Sequence, residues 1–285
     1  MILVTGATGT IGGAVVRQLA ARGERTRALT RDPARADLPS GVEVVRGDYA
    51  DPGSLTAATA GVRAVFLVTP PGPAAARYDT ALVTAARAAG ARRLVKLSAI
   101  GTGDPEVGRF GGWHEEGERA VRESGAAWTV LRPSSFAANS LGWAAAVRAG
   151  EPVPNLTGDG ASGVIDPHDI AEVAVAALLD PGHGGRTYTL TGPEAISVPG
   201  QAAVLASVLE RPVGTRDLTP DEARTFLRTV WGFDDTRADD ALAGMRYVRD
   251  GGNALVTEDV PRVLGRPARS FRQWAEDHKG AFRAA

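Results

Sequence analysis

Three stretches of this 285-residue chain carry side chains whose type and spacing suit chemistry: GATGTIG at 6–12, TRDPARA at 30–36 and FGGWHEEGE at 110–118. The first follows the apolar run ILVT and precedes the amphipathic run GAVVRQLAAR. A strand, a glycine-rich turn and a helix start, in that order, make a cradle for phosphate. Gly6 suits a tight turn, Gly9 lets backbone approach a pyrophosphate, and Gly12 allows close helix–strand packing. The helix start then presents unpaired N–H groups and a positive dipole end. Gly6, Thr8, Gly9, Thr10, Ile11 and Gly12 are therefore expected to hold a dinucleotide.

The second stretch bears on which dinucleotide. An NAD site wants a carboxylate at the end of the second strand for the ribose 2′-hydroxyl, and an NADP site answers a 2′-phosphate with arginine. Thr30 stands where the acid would be, Arg31 follows it and Arg35 is close, and arginine grips phosphate through paired hydrogen bonds. Asp32 is the competing group, but Asp before Pro33 suits a helix N-cap with proline in the first turn. NADP(H) is expected over NAD(H), with Arg31 as an ordinary solvated arginine the alternative.

In the third stretch His114 and Glu118 lie one helical turn apart. A neutral imidazole can hydrogen-bond a ribose hydroxyl or a substrate oxygen, and its ordinary pKa near 6.5 suits proton donation. A place near a helix N-terminus lowers that pKa and favours a neutral donor. The competing reading is a helix-start histidine that packs on Trp113 or bonds backbone.

The elements that must position these groups alternate along the first two-thirds of the chain. Strands are expected at Ile2–Thr5, Thr26–Thr30, Val42–Arg46, Ala64–Val68, Leu94–Ser98 and Thr129–Leu131. Helices are expected near Gly13–Arg22, Ser54–Ala60, Ala74–Ala89 and Glu115–Ser124. Continuous apolar strands indicate a parallel sheet covered on both faces, and the βαβ order indicates a doubly wound α/β fold of Rossmann type. A helix near Asp169–Leu179 and a strand near Thr187–Leu190 are expected to return to the sheet. This divides the chain into a nucleotide-binding domain over 1–150, completed by 160–192, and a smaller, mostly helical substrate lobe over 193–285.

Bulk properties narrow the function classes. A net charge of −1 offers no footprint for nucleic acid. With no cysteine, disulfides, thiolate nucleophiles and cysteine metal sites are excluded. The four histidines (114, 168, 183 and 278) have no metal-ligand spacing with one another, so no metal is expected. MILVTGATG lacks a basic segment and runs straight into a strand, and no apolar run approaches a membrane span. A cytoplasmic location is expected, with a small-molecule substrate as partner and a homodimer left open. Of 32 basic residues only Lys96 and Lys279 are lysines, which, with the abundant Ala and Gly, fits GC-rich codon usage.

GATGTIG, the TRDP after the second strand, GDYAD (47–51) and VTPPG (68–72) resemble the NmrA-like branch of the atypical short-chain dehydrogenases. HEEGERAVRESG (114–125), LRPSSFAAN (131–139), DPHDIAEVA (166–174) and VTEDVPRVLGRPARSFRQWAEDH (256–278) carry the resemblance to the end of the chain. The resemblance implies that Asp48 and Tyr49 flank the adenine, and that Val68, Thr69, Pro70 and Pro71 line the riboses. It also implies that Ser98 and the Pro133–Asn139 loop edge the substrate cleft. In the wider superfamily a Tyr-x-x-x-Lys dyad does the chemistry, and extended members carry Glu four residues after that Lys. By that spacing Phe110 falls at the Tyr position and His114 at the Lys position. No tyrosine elsewhere has a lysine four residues on, so tyrosine-assisted carbonyl reduction is not expected. Quinone-reducing members of the branch resemble this chain in having His and then Glu.

The expected function is an NADPH-dependent oxidoreductase for a quinone, enone or imine, with His114 as the catalytic residue. Such acceptors take hydride readily, and an iminium needs no proton. Phe110, Phe136, Asn139 and Trp143 are candidates to line the substrate, although capping suits Asn139 and core packing suits the aromatics. Asp166 and Asp169 are expected to cap a helix, and the arginines near 262–272 to form a solvated face. A nucleotide-sensing regulator and a non-redox biosynthetic enzyme remain the alternatives, since fold alone does not separate them.

Overall fold

The computed structural model describes residues 1–70, 72–107 and 112–283, so the expectations for Pro71 and Phe110 lie outside the described residues. Seven strands form one parallel sheet: β1 (Ile2–Val4), β2 (Thr26–Thr30), β3 (Glu43–Arg46), β4 (Ala64–Leu67), β5 (Arg93–Leu97), β6 (Ala127–Pro133) and β9 (Arg186–Leu190). Their order across the sheet is β3-β2-β1-β4-β5-β6-β9, every neighbouring pair parallel. The order reverses at β1, which pairs with both β2 and β4. Crossovers on opposite faces therefore leave a crevice at the carboxyl ends there.

Side chains alternate between the two faces of each strand, and the core divides accordingly. Ile2, Val4, Phe66, Val95 and Leu131 point to the face covered by α1 (Thr10–Ala21) and a later helix, Pro167–Leu179, through Val15, Leu19, Ile170 and Val173. Leu3, Val65, Leu67 and Leu94 point to the other face. There α2 (Pro52–Thr59), α3 (Ala75–Ala88) and α4 (Glu115–Arg122) supply Leu55, Leu82 and Val121. Lys96 on β5 and Ser98 just after it continue the alternation begun by Leu94, which turns both toward α3 and α4.

Ala137, Val147 and Val153 pack with Leu205, Phe271 and Trp274 in a separate cluster. Two short pairings complete this lobe: β7 (Val153–Asn155) with β11 (Thr215–Asp217), and β8 (Ala161–Ser162) with β10 (Ile196–Ser197). A helical hairpin, Pro220–Thr229 and Asp235–Arg249, packs on itself through Leu227, Ala238 and Ala241. The expected return to the sheet is present as Pro167–Leu179 and β9. Asp166 caps that helix by accepting from His168 N–H at 2.9 Å.

Two local expectations need correction. Asp169 caps nothing; it is fully buried, accepts from Arg269 N–H at 2.7 Å and pairs with Arg266 at 2.7 Å. Arg269 also pairs with Asp166 at 2.6 Å, so Arg266 and Arg269 are tied into ion pairs rather than spread on a solvated face. Arg266 also bonds Glu172, so a cation already occupies the His168–Asp169–Glu172 cluster. Among the described residues no helix is long and apolar enough to cross a membrane.

Candidate active site

Because all seven strands run the same way, the loops after β1, β2, β4, β5 and β6 emerge on one edge of the sheet. In the first loop Gly6 takes the left-handed conformation, φ +58°, which turns the chain from β1 into α1. A Cβ on Gly12 would overlap the Gly6 carbonyl oxygen, so Gly12 is glycine for packing. Gly9 differs: an added Cβ meets only that oxygen, at 3.3 Å, and Thr8, Gly9 and Thr10 face outward. No side chain caps α1 and no acid lies in its first turn, so the donors at its start are available to an anion. The fit to a pyrophosphate is therefore built in. The Ile11 side chain is buried in the core, so only its backbone N–H is left to serve a ligand.

After β2, Arg31 and Arg35 are exposed and, among the described residues, make no ion pair. Asp32 sits at the N-cap position, but the helix is a single 3₁₀ turn, Pro33–Arg35, and its carboxylate accepts no capping bond. The expected cap is absent, and the Asp32 N–H bonds back to Thr30 Oγ1 at 3.3 Å.

The loop after β4 is held from three sides. Val68 N–H donates to Thr5 Oγ1 at 2.8 Å, and the Tyr49 hydroxyl donates to the Val68 carbonyl at 2.5 Å. Tyr49 itself stacks on Tyr78, with ring centroids 5.4 Å apart. Burial pushes the Tyr49 phenol up to about 12, so it stays a donor. The Thr69 hydroxyl turns inward and donates to Asp79 Oδ1 at 3.0 Å. Asp79 Oδ2 in turn takes a 2.6 Å bond from Lys96 Nζ, and both side chains of that pair are wholly buried. Asp48 forms a turn by accepting from Ala50 N–H at 2.9 Å.

After β5, the Ser98 hydroxyl donates to Glu118 Oε1 at 2.5 Å and lies 3.1 Å from Thr102 Oγ1. Glu118 is buried, and its other bonds come from Arg122 at 2.7 Å and Arg132 at 2.8 and 2.7 Å. Burial alone would raise its pKa; the hydrogen bonds from Arg132 and Ser98 outweigh that and hold the carboxyl below its ordinary value. Ser98 thus spends its proton on a carboxylate and has only lone pairs to offer.

His114 stands at the start of α4 with Nδ1 buried and unpartnered. Its pKa is pulled down to about 3, first by burial and then by the Lys96 charge, with Glu118 opposing. The direction agrees with the expected neutral imidazole, but the cause is desolvation rather than the helix dipole. Among the other candidates, Phe136 packs on the main core and Trp143 on the lobe core. Asn139 is exposed within the 3₁₀ segment Ala137–Trp143, whose N-cap is Phe136. Sequence reasoning passed over Lys96, Asp79 and the cross-links to Glu118. The available signal was a lysine inside the apolar run LVKLS of a chain with two lysines.

Comparison with known proteins agrees with this arrangement. Residues 6–181 match the model of an NAD(P)H-binding family. The chain is 44% identical to the (4-alkanoyl-5-oxo-2,5-dihydrofuran-3-yl)methyl phosphate reductase of Streptomyces griseus, over 99% of both chains. It is 40% identical to the NAD(P)H azoreductase of Xenophilus azovorans over the whole of both. The fold superposes on the NADPH-dependent quinone oxidoreductase of Escherichia coli, solved with NADPH, with a TM-score of 0.85 and 26% identity over 97% of this chain and 99% of that one. With its glycine cradle and its lack of a Tyr-x-x-x-Lys dyad, the chain belongs to the NAD(P)H-binding family, among the atypical short-chain dehydrogenases, and is an NAD(P)H-dependent oxidoreductase.

Proposed function

We propose that this protein uses NADPH to reduce small conjugated acceptors whose hydride adduct is either a stabilised anion or neutral. The observation that carries the reading is His114: a half-buried imidazole whose enclosed Nδ1 has no partner and whose pKa is held down, at the start of the helix carrying the Glu118 to which Ser98 commits its proton. The described groups here include no strong acid. A simple ketone would become an alkoxide and needs a proton as hydride arrives. A quinone, an alkene conjugated to two carbonyls, or an iminium makes no such demand.

NADPH would supply the hydride; where the adduct is an anion, one proton from solvent completes the two-electron reduction, and where it is neutral none is needed. The glycine loop and the α1 start would hold the pyrophosphate, and Arg31 and Arg35 the 2′-phosphate. Asp32 remains the group that would favour NAD, since it is exposed and caps nothing. The pinned Val68–Pro70 backbone would line the riboses, with Asp48 and Tyr49 toward the adenine. His114 would orient the acceptor oxygen or the nicotinamide ribose as a neutral donor. Ser98 would accept a hydrogen bond, and Phe136, Asn139 and Trp143 would edge the cleft.

The relatives support this acceptor class. The Streptomyces compound is named as a dihydrofuranone bearing an alkanoyl group, and the others act on azo compounds and quinones; all are electron-poor and conjugated. The test is NADPH oxidation against a quinone, an acyl-substituted unsaturated lactone, an azo dye and an unactivated ketone. Turnover of one or more of the first three without the ketone is expected. NADPH binding without turnover of any acceptor would refute the reading in favour of a sensor.

A further inference from the structure

A fully buried lysine in a chain whose basic residues are otherwise almost all arginine is an odd choice for stability. Removing two charges from water costs several kcal/mol each, and replacing such a pair with apolar side chains of similar size is often neutral or stabilising. Lys96 and Asp79 replace what would be two apolar contacts in the layer between β5 and α3. Their value is better sought in what the carboxylate holds.

Asp79 is a three-way joint. Its Oδ2 receives Lys96 Nζ from β5 at 2.6 Å, and its Oδ1 receives the Thr69 hydroxyl from the loop after β4 at 3.0 Å. On a third side it lies against the backbone of α4 at Gly117, where any added Cβ would overlap Oδ2. Gly117 is three residues from His114 and adjacent to Glu118, the partner of Ser98. The ends of β4 and β5 and the first turn of α4 are thus registered on one carboxylate. Both of its oxygens are thereby engaged as acceptors. A planar guanidinium would not reproduce a single compact donor reaching from β5 to α3.

We propose that Lys96, Asp79 and Thr69 form a positioning unit that sets the height of the Val68–Pro70 backbone, and through it the placement of the nicotinamide half of NADPH against His114. This rests on the reductase reading above. None of the three touches the reacting atoms; Thr69 acts through its main chain, because its hydroxyl is turned away from the loop's outer face.

The test separates the two halves of the cofactor. Thr69→Val keeps the side-chain shape and the ion pair but removes the donor to Asp79. Calorimetry would compare NADPH with adenosine 2′,5′-bisphosphate, which lacks the nicotinamide and its ribose, alongside kcat for an acceptor that the parent reduces. The expected result is about a tenfold fall in kcat and weaker NADPH binding, with adenosine 2′,5′-bisphosphate bound as tightly as by the parent. Thr69→Ser should restore both. Lys96→Met combined with Asp79→Leu should give the same signature, and Thr69→Val decides the matter should that double variant fail to fold. Equal weakening of both ligands would mean a general loosening and would overturn the proposal, as would parental kcat and NADPH affinity in Thr69→Val. Should the parent reduce no acceptor, the reductase reading fails, while the comparison of the two ligands still decides the positioning role.

Discussion

Replacing His114 with glutamine removes one titrating group from a place where the folded chain will not accept a proton. Burial and the Lys96 charge hold the imidazole down to about 3, against an ordinary value of 6.5. Between those values the unfolded chain carries one more proton than the folded one. The resulting stability is fully present above the unfolded pKa and is lost as the pH falls toward the folded one. Each pH unit inside the window is worth about 1.4 kcal/mol, so the integrated loss from pH 7 to pH 5 is about 2 kcal/mol. That figure is insensitive to whether the folded value is 3 or 4, since both lie below the range measured. Groups common to parent and variant cancel in the difference. Urea unfolding at pH 7 and pH 5 should show the parent losing about 2 kcal/mol more than His114→Gln. Parallel losses, or a residue-114 imidazole resonance that titrates near 6.5, would refute a neutral His114 and remove the main support for the choice of acceptor.

The last two glycines of the loop should separate stability from binding. Gly12→Ala drives a methyl into the Gly6 carbonyl and should cost roughly 1–3 kcal/mol in urea unfolding as well as cofactor affinity. Gly9→Val, with only one close neighbour in the protein, should keep a near-parental melting temperature yet lose NADPH in calorimetry. The parent should bind NADPH at least about tenfold more tightly than NADH, a difference of about 1.4 kcal/mol. Arg31→Ala should erase most of it, and equal affinities in the parent would sink the 2′-phosphate assignment. Glu118→Ala strands the Arg132 and Arg122 charges; because both arginines are partly exposed, the expected cost is roughly 2–3 kcal/mol rather than that of a fully buried pair. A drop below about 0.5 kcal/mol, the range of an ordinary surface change, would show the cluster to be loosely held.

The sequence by itself determined what depends on neighbours along the chain. Apolar runs of four or five residues between helical stretches specify buried parallel strands. GATGTIG specifies a left-handed turn at Gly6 and an uncapped helix start, since few residues other than glycine adopt that φ. Asp166 before Pro167 specifies a cap. Tertiary structure decided whatever depends on distance across the fold and on exclusion of water. Asp79 looks like a polar position on an Ala-rich helix until α3 is laid against Lys96, 17 residues away, and Gly117 closes over it. Arg266 and Arg269 look solvated until the chain returns them to acids about a hundred residues earlier. His114 has the same residue type and helix position in either state, but its pKa is lowered by burial and by the Lys96 charge on β5. Desolvation and Coulomb interactions act through space, so they exist only after the sheet has brought these segments together.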